Sequence, residues 1–248
     1  MIERWIFLRD GRLTARIKLV LAALFVAMLI ALLPLRLVLG WAHPGPRTFS
    51  ASAVEGSAWA GRIGDLRLGA LPIGNVDAGI RPLPLLIGRP ELSMNRPALG
   101  ADPAFSAIVG GGEGSVVLRD VQGQVALRDA LGALPAAALG FRDFHMAMSG
   151  GRCESAGGQL TLFLSPLSDL MTGQVALTGS ARCDKGALYV PMTGPTGLEK
   201  LFLRLEPDGS WRSDLILSGL PVEVSTPLLE MGFTGRPGGI GITSRGKL

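Results

Sequence analysis

Histidine and cysteine are the residue types best suited to metal binding or nucleophilic catalysis, and this chain has only two of each. His43 and His145 are far apart, and neither Cys153 nor Cys183 belongs to a CxxC pair. Because a structural zinc ion takes four ligands, a tetrahedral set of Cys and His cannot readily be assembled. His145 lies near Asp143 in an alternating segment, which favours an exposed strand histidine over the base of a catalytic triad.

Glycine-rich and acidic segments supply no catalytic pattern either. Residues 110–114 read GGGEG, without the GxxxxGK[ST] or GxGxxG pattern of phosphate-binding loops, and predict a flexible loop. Asp65, Asp77 and Glu91 show no repeated ligand spacing, so surface solvation is favoured over calcium binding or glycoside hydrolysis. We therefore expect a protein that is not an enzyme and that binds no cofactor and no metal.

A long apolar segment near the N-terminus organises the rest of the chain. Residues 19–35 contain no charged residue, and the apolar run continues past Arg36 to residue 39. At about 1.5 Å per residue its length is roughly 30 Å, the thickness of a bilayer's hydrocarbon core. The run is longer than a signal-peptide core and lacks a convincing cleavage site, so the sequence predicts one uncleaved transmembrane helix.

Basic residues set the predicted orientation of this helix. Only Arg36 and Arg47 follow it closely, whereas five precede it: Arg4, Arg9, Arg12, Arg16 and Lys18. Short loops rich in Lys and Arg stay in the cytoplasm, so the N-terminus is predicted inside and everything from about residue 42 outside. The predicted division is a cytoplasmic basic tail at residues 1–18, a transmembrane anchor at 19–40, a linker at 41–47 and an exported β domain at 48–248.

The excess of positive charge is concentrated in that tail. The chain has 24 Lys and Arg against 20 Asp and Glu; the first 18 residues hold five basic and two acidic side chains, which leaves 19 and 18 in the remainder. A nearly neutral domain lacks the basic surface that nucleic-acid binding requires. We therefore expect no nucleic-acid partner.

Export changes the interpretation of the two cysteines. Disulfides form and persist outside the cytoplasm, so a bridge between Cys153 and Cys183 is the default expectation. Each cysteine follows an arginine and precedes an acidic residue, a glycine and a strand, and two such units are natural neighbours in a sheet. Spacing alone does not establish the Cα separation that a bridge requires.

Glycine and proline make up 52 of the 248 residues, about twice average usage, which favours short strands and turns over long helices. Apolar and polar residues alternate in residues 121–128, 160–164 and 201–205, as in half-buried antiparallel strands. Pro207-Asp208-Gly209 separates the last of these from residues 211–217 and predicts a hairpin. The predicted fold is mainly β, an antiparallel meander with few short helices.

Glycines and prolines also lead to local predictions. Residues 54–62, VEGSAWAGR, are predicted to be a strand in which Gly56 and Gly61 allow close approach of another backbone, with Trp59 in the core. Residues 81–88 are predicted to be a buried connection or an irregular edge that packs two leucines, Leu85 and Leu86. Residues 227–231 are predicted to form a short helix closed by a glycine.

The order and spacing of these segments resemble the type II secretion system protein N family, also called general secretion pathway protein N. The resemblance covers the anchor and nearly the whole domain, and it rests on VEGSAWAGR, LPIGNVDAGIRPLPLLIGRPELS, GGRCESAGGQL, GSARCDKGALYV and LLEMGFTGRPGGIGITSRGKL. It implies a single-pass inner-membrane protein of a Gram-negative bacterium that takes part in export of folded proteins across the outer membrane. It supplies no catalytic residues. Its structural landmarks here are Gly56, Trp59, Gly61, Cys153, Gly157, Cys183, Gly186 and Gly232.

Two functions follow from the resemblance. The first is a structural or assembly subunit whose partners are other inner-membrane subunits of the secretion system. The second is a lipid-binding or lipid-transfer module, because the family is similar in style to larger AsmA-like proteins, whose curved sheets present an apolar groove. In that case the alternating leucines of residues 160–164 and 201–205 would line the groove, with lipid as the partner. An ordinary hydrophobic core is the alternative for those leucines.

Overall fold

The computed structural model describes residues 15–41, 49–100, 102–112, 114–127, 130–165 and 175–247. The basic residues before Ala15, most of the predicted linker, including His43, and Glu113 lie outside these ranges. The predictions that concern those residues therefore remain predictions.

Sixteen strands within the described residues form one antiparallel sheet, which confirms the predicted mainly β fold. In chain order they are β1 (Phe49–Ser50), β2 (Ala53–Gly56), β3 (Gly61–Leu68), β4 (Leu71–Ile80), β5 (Glu91–Arg96), β6 (Phe105–Gly112), β7 (Ser115–Ala126), β8 (Ala136–Ser149), β9 (Arg152–Leu164), β10 (Ala176–Ser180), β11 (Arg182–Asp184), β12 (Ala187–Thr193), β13 (Glu199–Leu205), β14 (Ser210–Ser218), β15 (Thr234–Arg236) and β16 (Gly239–Lys247).

Strands that follow one another in the chain are neighbours in most of the sheet. The order is β1-β3-β4-β5-β6-β7-β8-β9-β10-β12-β13-β14-β16-β15, with β2 paired to β3 and β11 paired to β12. The hairpin predicted at residues 207–209 is confirmed, since it joins β13 to β14. Residues 54–62, predicted as one strand, instead contain the turn between β2 and β3. The glycines at 110–112, predicted to lie in a flexible loop, end β6.

Side chains at alternate strand positions form one continuous hydrophobic core that extends from β3 to β16. The alternating leucines predicted to share a face belong to it. Four of them are at most 3% exposed: Leu160, Leu162, Leu164 and Leu201. Leu203 and Leu205 are half-buried and pack against the same core. These six leucines therefore have the ordinary core role, and they do not line an open groove.

Three aspartates bend the sheet at β-bulges. Asp65, Asp120 and Asp143 have φ angles of 46, 49 and 51°, and the strand register shifts at each position. Aspartate enters the left-handed region more readily than most residues because its short side chain can hydrogen-bond locally. Each bulge also turns the next side chain into the core, where Leu66, Val121 and Phe144 are at most 4% exposed.

A buried arginine joins separate parts of this sheet. Arg96, at the end of β5, is 8% exposed, and its guanidinium donates hydrogen bonds to three backbone carbonyl oxygens: those of Ile73, Pro103 and Gln124. Burial lowers the pKa of Arg96, and the charge of Asp102 opposes part of that change. Since the planar guanidinium holds five donors in a fixed arrangement, this position is suited to arginine rather than lysine.

Four helices occur in the described ranges: α1 (Ala15–Ala31), α2 (Leu35–Trp41), α3 (Pro82–Leu86) and α4 (Val222–Glu230). Among the residues described, no helix has both the length and the apolar character needed to cross a membrane. The predicted continuous helix over residues 19–39 is wrong, because Pro34 lies between α1 and α2. Proline has no N–H to donate, and its ring clashes with the preceding helical turn. The helix predicted at residues 227–231 begins earlier, at Val222.

The helices lie at opposite ends of the strands. The turn between β2 and β3 contacts the α1–α2 junction. This turn lies at the end of the sheet where β4 ends and β5 begins, and α3 connects those two strands. We call this the docking end. Because neighbouring strands are antiparallel, α4, which follows the end of β14, lies at the opposite end.

Candidate functional site

The docking turn, residues 56–61, depends on two glycines that face each other across β2 and β3. Gly56 has a φ of 84°, and a Cβ there would lie 2.7 Å from the carbonyl oxygen of Ala60. A Cβ on Gly61 would lie 2.6 Å from the carbonyl oxygen of Glu55 and 2.6 Å from a methyl group of Leu35. The turn is therefore closed tightly, and a side chain of α2 occupies the space that a residue larger than glycine would need.

Hydrogen bonds join the docking turn to the junction between α1 and α2. The N–H of Ala58 donates to the carbonyl oxygen of Leu33 at 2.6 Å, and the indole Nε1–H of Trp59 donates to that of Ile30 at 2.9 Å. In an unbroken helix the Ile30 carbonyl would accept from residue 34, but Pro34 has no N–H. The indole takes the place of that donor. The Ile30 carbonyl oxygen also accepts a longer hydrogen bond, of 3.3 Å, from the N–H of Leu33.

The same geometry corrects the prediction for Trp59. Its side chain is half-buried at the surface of the docking turn and is not a member of the hydrophobic core. The helix side chain that enters the core is Leu35, which is fully buried. The motif VEGSAWAGR therefore holds a helical segment against the sheet, a role that its glycines and tryptophan alone did not reveal.

A cleft of about 550 Å³ lies beside the docking turn. Trp59, Arg62, Asp77 and Asn95 contribute to its walls, and its lining contains no histidine or cysteine. Arg62 and Asp77 form an ion pair at 3.1 Å, but both side chains are more than half exposed. Exposed pairs contribute little to stability. The cleft therefore offers polar and aromatic groups for contact with a partner.

The predicted disulfide is confirmed. Cys153 and Cys183 are bonded, with their Cα atoms 5.6 Å apart. β10 is much shorter than β9, so β11 continues beyond it and brings Cys183 alongside the start of β9. The N–H of Cys153 donates to the carbonyl oxygen of Gly186 at 2.7 Å, and Gly186 has a φ of 81°, which favours glycine at this turn.

The two remaining glycine landmarks have separate local roles. Gly157 lies opposite His145, and a Cβ there would come within 2.5 Å of the imidazole ring, which therefore lies over the glycine backbone. His145 is exposed on its strand, as predicted, and its Nδ1 is 3.3 Å from the backbone oxygen of Asp143. Gly232 follows α4 with a φ of 98°, and its N–H donates to the carbonyl oxygen of Leu229 at 3.2 Å.

Charged side chains form hydrogen-bonded groups on β13 and β14. Hydrogen bonding to Glu206 and to Asp184, against partial desolvation, raises the pKa of Arg204. Desolvation on its own would raise the pKa of Asp214, but hydrogen bonds from Arg212 and Thr243 lower it overall. Both groups are ion-paired networks of a structural kind. Within the described residues, no three His, Cys, Asp or Glu side chains come together in a way that could hold a metal ion.

An exposed apolar segment of the β domain differs from the sequence prediction. We call four residues the apolar protrusion: Leu83, Leu85, Leu86 and Ile87. Their side chains are 76, 40, 82 and 70% exposed, respectively. The prediction that this segment packs Leu85 and Leu86 inside is therefore wrong. The sequence signal that could have identified it is the density of proline around these residues, PLPLL, which removes N–H groups and prevents a paired strand.

Glu91 holds the base of the protrusion. It was predicted to be a solvated surface acid, but it is 6% exposed. Its two carboxylate oxygens accept hydrogen bonds from Arg81 at 2.9 Å and from Arg119 at 2.7 Å. The N–H of Arg81 also donates to the backbone oxygen of Glu91 at 2.9 Å, which closes the loop that contains α3. The protrusion is therefore a positioned element of the docking end.

Comparison with known proteins gives one match. A family model described as type II secretion system protein N matches residues 48–243 of the chain. Searches of curated proteins and of solved structures find no significant match. The matched residues include the docking turn, the apolar protrusion and both cysteines.

Proposed function

The chain belongs to the type II secretion system protein N family, and from this we propose that it is a non-enzymatic structural or assembly subunit of the secretion machinery. The observation behind the proposal is the family match, which covers nearly the whole β sheet. Its proposed partners are other inner-membrane subunits of the same machinery, and its proposed role is in export of folded proteins across the outer membrane.

We also propose that the apolar segment at residues 19–40, which includes most of α1, is an inner-membrane anchor, with residues 1–18 in the cytoplasm and, after the linker at 41–47, the β domain at 48–248 in the periplasm. Since no described helix can cross a membrane by itself, the proposed anchor includes the residues that follow α1. Leu19, Leu24 and Phe25 are 71, 67 and 62% exposed, and a contiguous apolar surface of this kind requires a covering environment. The five basic residues before Leu19 favour this orientation. A reporter fused after Leu248 should be active only in the periplasm.

Gene deletion tests the secretion role. Without the full chain, folded cargo should accumulate in the periplasm, and expression of the chain should restore its export. A photocrosslinking residue at Arg62, beside Trp59, should then capture identified inner-membrane subunits of the secretion machinery. The matched control is the same residue at Val222, which is 73% exposed at the opposite end of the sheet. It reports whether capture is specific to the docking end.

Two results would overturn the proposal. The first is unchanged cargo export after deletion, accompanied by altered lipid composition or permeability of the outer membrane, which would favour lipid transfer. The second is activity of the C-terminal reporter in the cytoplasm, which would reverse the orientation. The buried leucines of β9 and β13 give lipid transfer no support.

A further inference from the structure

The apolar protrusion is close to the end of α1. The carbonyl oxygen of Leu33 accepts from the N–H of Ala58, and the carbonyl oxygen of Ala58 accepts from the N–H of Ile80 at 2.7 Å. Ile80 ends β4, and α3 begins at Pro82. Two backbone hydrogen bonds through Ala58 therefore link the end of α1 to the start of the α3 connection, and they place the two within about 10 Å of each other, given about 4.8 Å between hydrogen-bonded backbones.

From this placement we propose that the apolar protrusion inserts into the boundary between headgroups and acyl chains of the bilayer that holds α1. The protrusion and the exposed apolar side chains of α1 lie at the same end of the sheet. The inference rests on the membrane position proposed for α1, and it adds a second membrane contact made by the β domain itself.

Charges around the protrusion suit the surface of an anionic membrane. Arg89 follows the closing turn of the helix, and the exposed Arg36 lies in the first turn of α2. Arg81, before the helix, shares the carboxylate of Glu91 with Arg119, so this group of two arginines and one acid keeps a net positive charge. Guanidinium groups bind phosphate oxygens with paired hydrogen bonds, and basic residues are attracted to anionic lipid surfaces. A short apolar element with arginines on both sides can therefore place its leucines among acyl chains and its charges among headgroups.

The protrusion is also held in a fixed orientation. The carboxylate of Glu91 binds Arg81 below α3, and the N–H groups of Gly88 and Arg89 donate to the carbonyl oxygens of Leu85 and Pro84, both at 3.0 Å. Gly88 has a φ of 73°, which ends the helix sharply. An element ordered before it meets the membrane loses less conformational freedom on insertion than a flexible loop.

Site-specific fluorescence in the full chain tests the proposal. Single cysteines are introduced by Leu86→Cys, Leu24→Cys and Val222→Cys, labelled with the environment-sensitive fluorophore NBD, and reconstituted in vesicles of phosphatidylethanolamine and phosphatidylglycerol. The native cysteines are joined in the disulfide and do not react. All three positions are more than half exposed, so the label does not disturb the core. Quenching is measured with lipids that have a nitroxide high on the acyl chain and with soluble iodide.

At positions 24 and 86 we expect blue-shifted emission, and nitroxide lipid should quench most of that emission. Iodide should quench the fluorophore only at position 222. Lipid quenching at 24 but not at 86 would overturn this inference and leave the anchor intact. Lipid quenching at neither position would overturn the anchor as well. Protection of position 86 from iodide without lipid quenching would show that protein covers the protrusion. Lipid quenching at position 222 would show unspecific adsorption. Either outcome would overturn the inference.

Discussion

Gly61→Ala is the most direct test of the docking turn. The added methyl group would lie 2.6 Å from a methyl of Leu35 and 2.6 Å from the carbonyl oxygen of Glu55, both well inside van der Waals contact. Overpacking of this kind destabilises by about 1–3 kcal/mol. The control is Gly235→Ala in β15, where the new methyl would meet no atom within 4 Å. That change should alter stability by no more than about 0.5 kcal/mol.

A double-mutant cycle separates the contact with Leu35 from general strain. Leu35 is fully buried, so Leu35→Ala alone should cost about 2–5 kcal/mol. In the double variant the new methyl at position 61 enters space that the leucine has left, so the two costs should not add. Contacting residues show coupling of about 0.5–3 kcal/mol. Part of the cost of Gly61→Ala should remain, because the carbonyl oxygen of Glu55 does not move away.

Two measurements on the full chain in detergent report the result. Urea unfolding gives the global free energy, and hydrogen exchange of the Ala58 amide gives the free energy of separating the turn from Leu33. We expect Gly61→Ala and Leu35→Ala to accelerate exchange at Ala58 and Gly235→Ala to leave it unchanged. Additive costs in the double variant, or a Gly61→Ala effect as small as that of Gly235→Ala, would refute the proposed packing of α2 on the turn.

Three other perturbations have definite expected outcomes. Arg96→Met removes a donor from the buried carbonyl group of Ile73 and from the partly buried carbonyl groups of Pro103 and Gln124, and at about 1–3 kcal/mol for a buried unsatisfied group it should lower the urea midpoint, whereas Arg62→Met at an exposed pair should change it little. Replacing Cys153 and Cys183 together by serine should cost about 3.5 kcal/mol in chain entropy, measured by denaturation against the disulfide-bonded wild type, and reduction should lower the stability of the wild type by a similar amount but leave the variant unchanged. The lowered pKa of Asp214 means that its stabilising effect is present above the pKa of the unfolded chain and is lost as pH falls through the folded value. The stability deficit of Asp214→Asn should therefore shrink in acid titrations below about pH 4.

Regular alternation was sufficient to predict the meander. At residues 160–164 of β9, 201–205 of β13 and 215–217 of β14, leucine recurs at every second position, so the face that enters the core follows from the two-residue period. The Asp208-Gly209 turn was predictable for the same reason, because it needs a positive φ, and Gly209 has a φ of 82°. The bond between the two cysteines was predictable from their exported position. The unequal lengths of β9 and β10, which bring the sulfur atoms together, were not predictable.

Features that depend on contacts distant in the chain were not predictable by periodicity. Pro34 was counted within an apolar run, and only the docked structure shows that Trp59 donates to the carbonyl group freed by the break. Glu91 lacks a sequence signal for burial, because its partners Arg81, before α3, and Arg119, in β7, are distant from it in the chain. The bulges at Asp65, Asp120 and Asp143 did leave a signal, since each aspartate precedes a large apolar residue that breaks the two-residue period.

The two proposals together constrain how the sheet stands on the membrane. A domain joined to a bilayer by one helix can rotate about that helix, because a single attachment fixes position and leaves orientation free. The docking turn already couples α1 and α2 to the sheet through Leu35 and Ala58. A second attachment through the apolar protrusion would remove the remaining rotation. The docking end would then face the bilayer, and α4 with its exposed Val222 and Met231 would point into the periplasm. An orientation fixed in this way would give the proposed subunit a definite means of acting in an assembly, since it would hold one surface at a set height and angle for its partners.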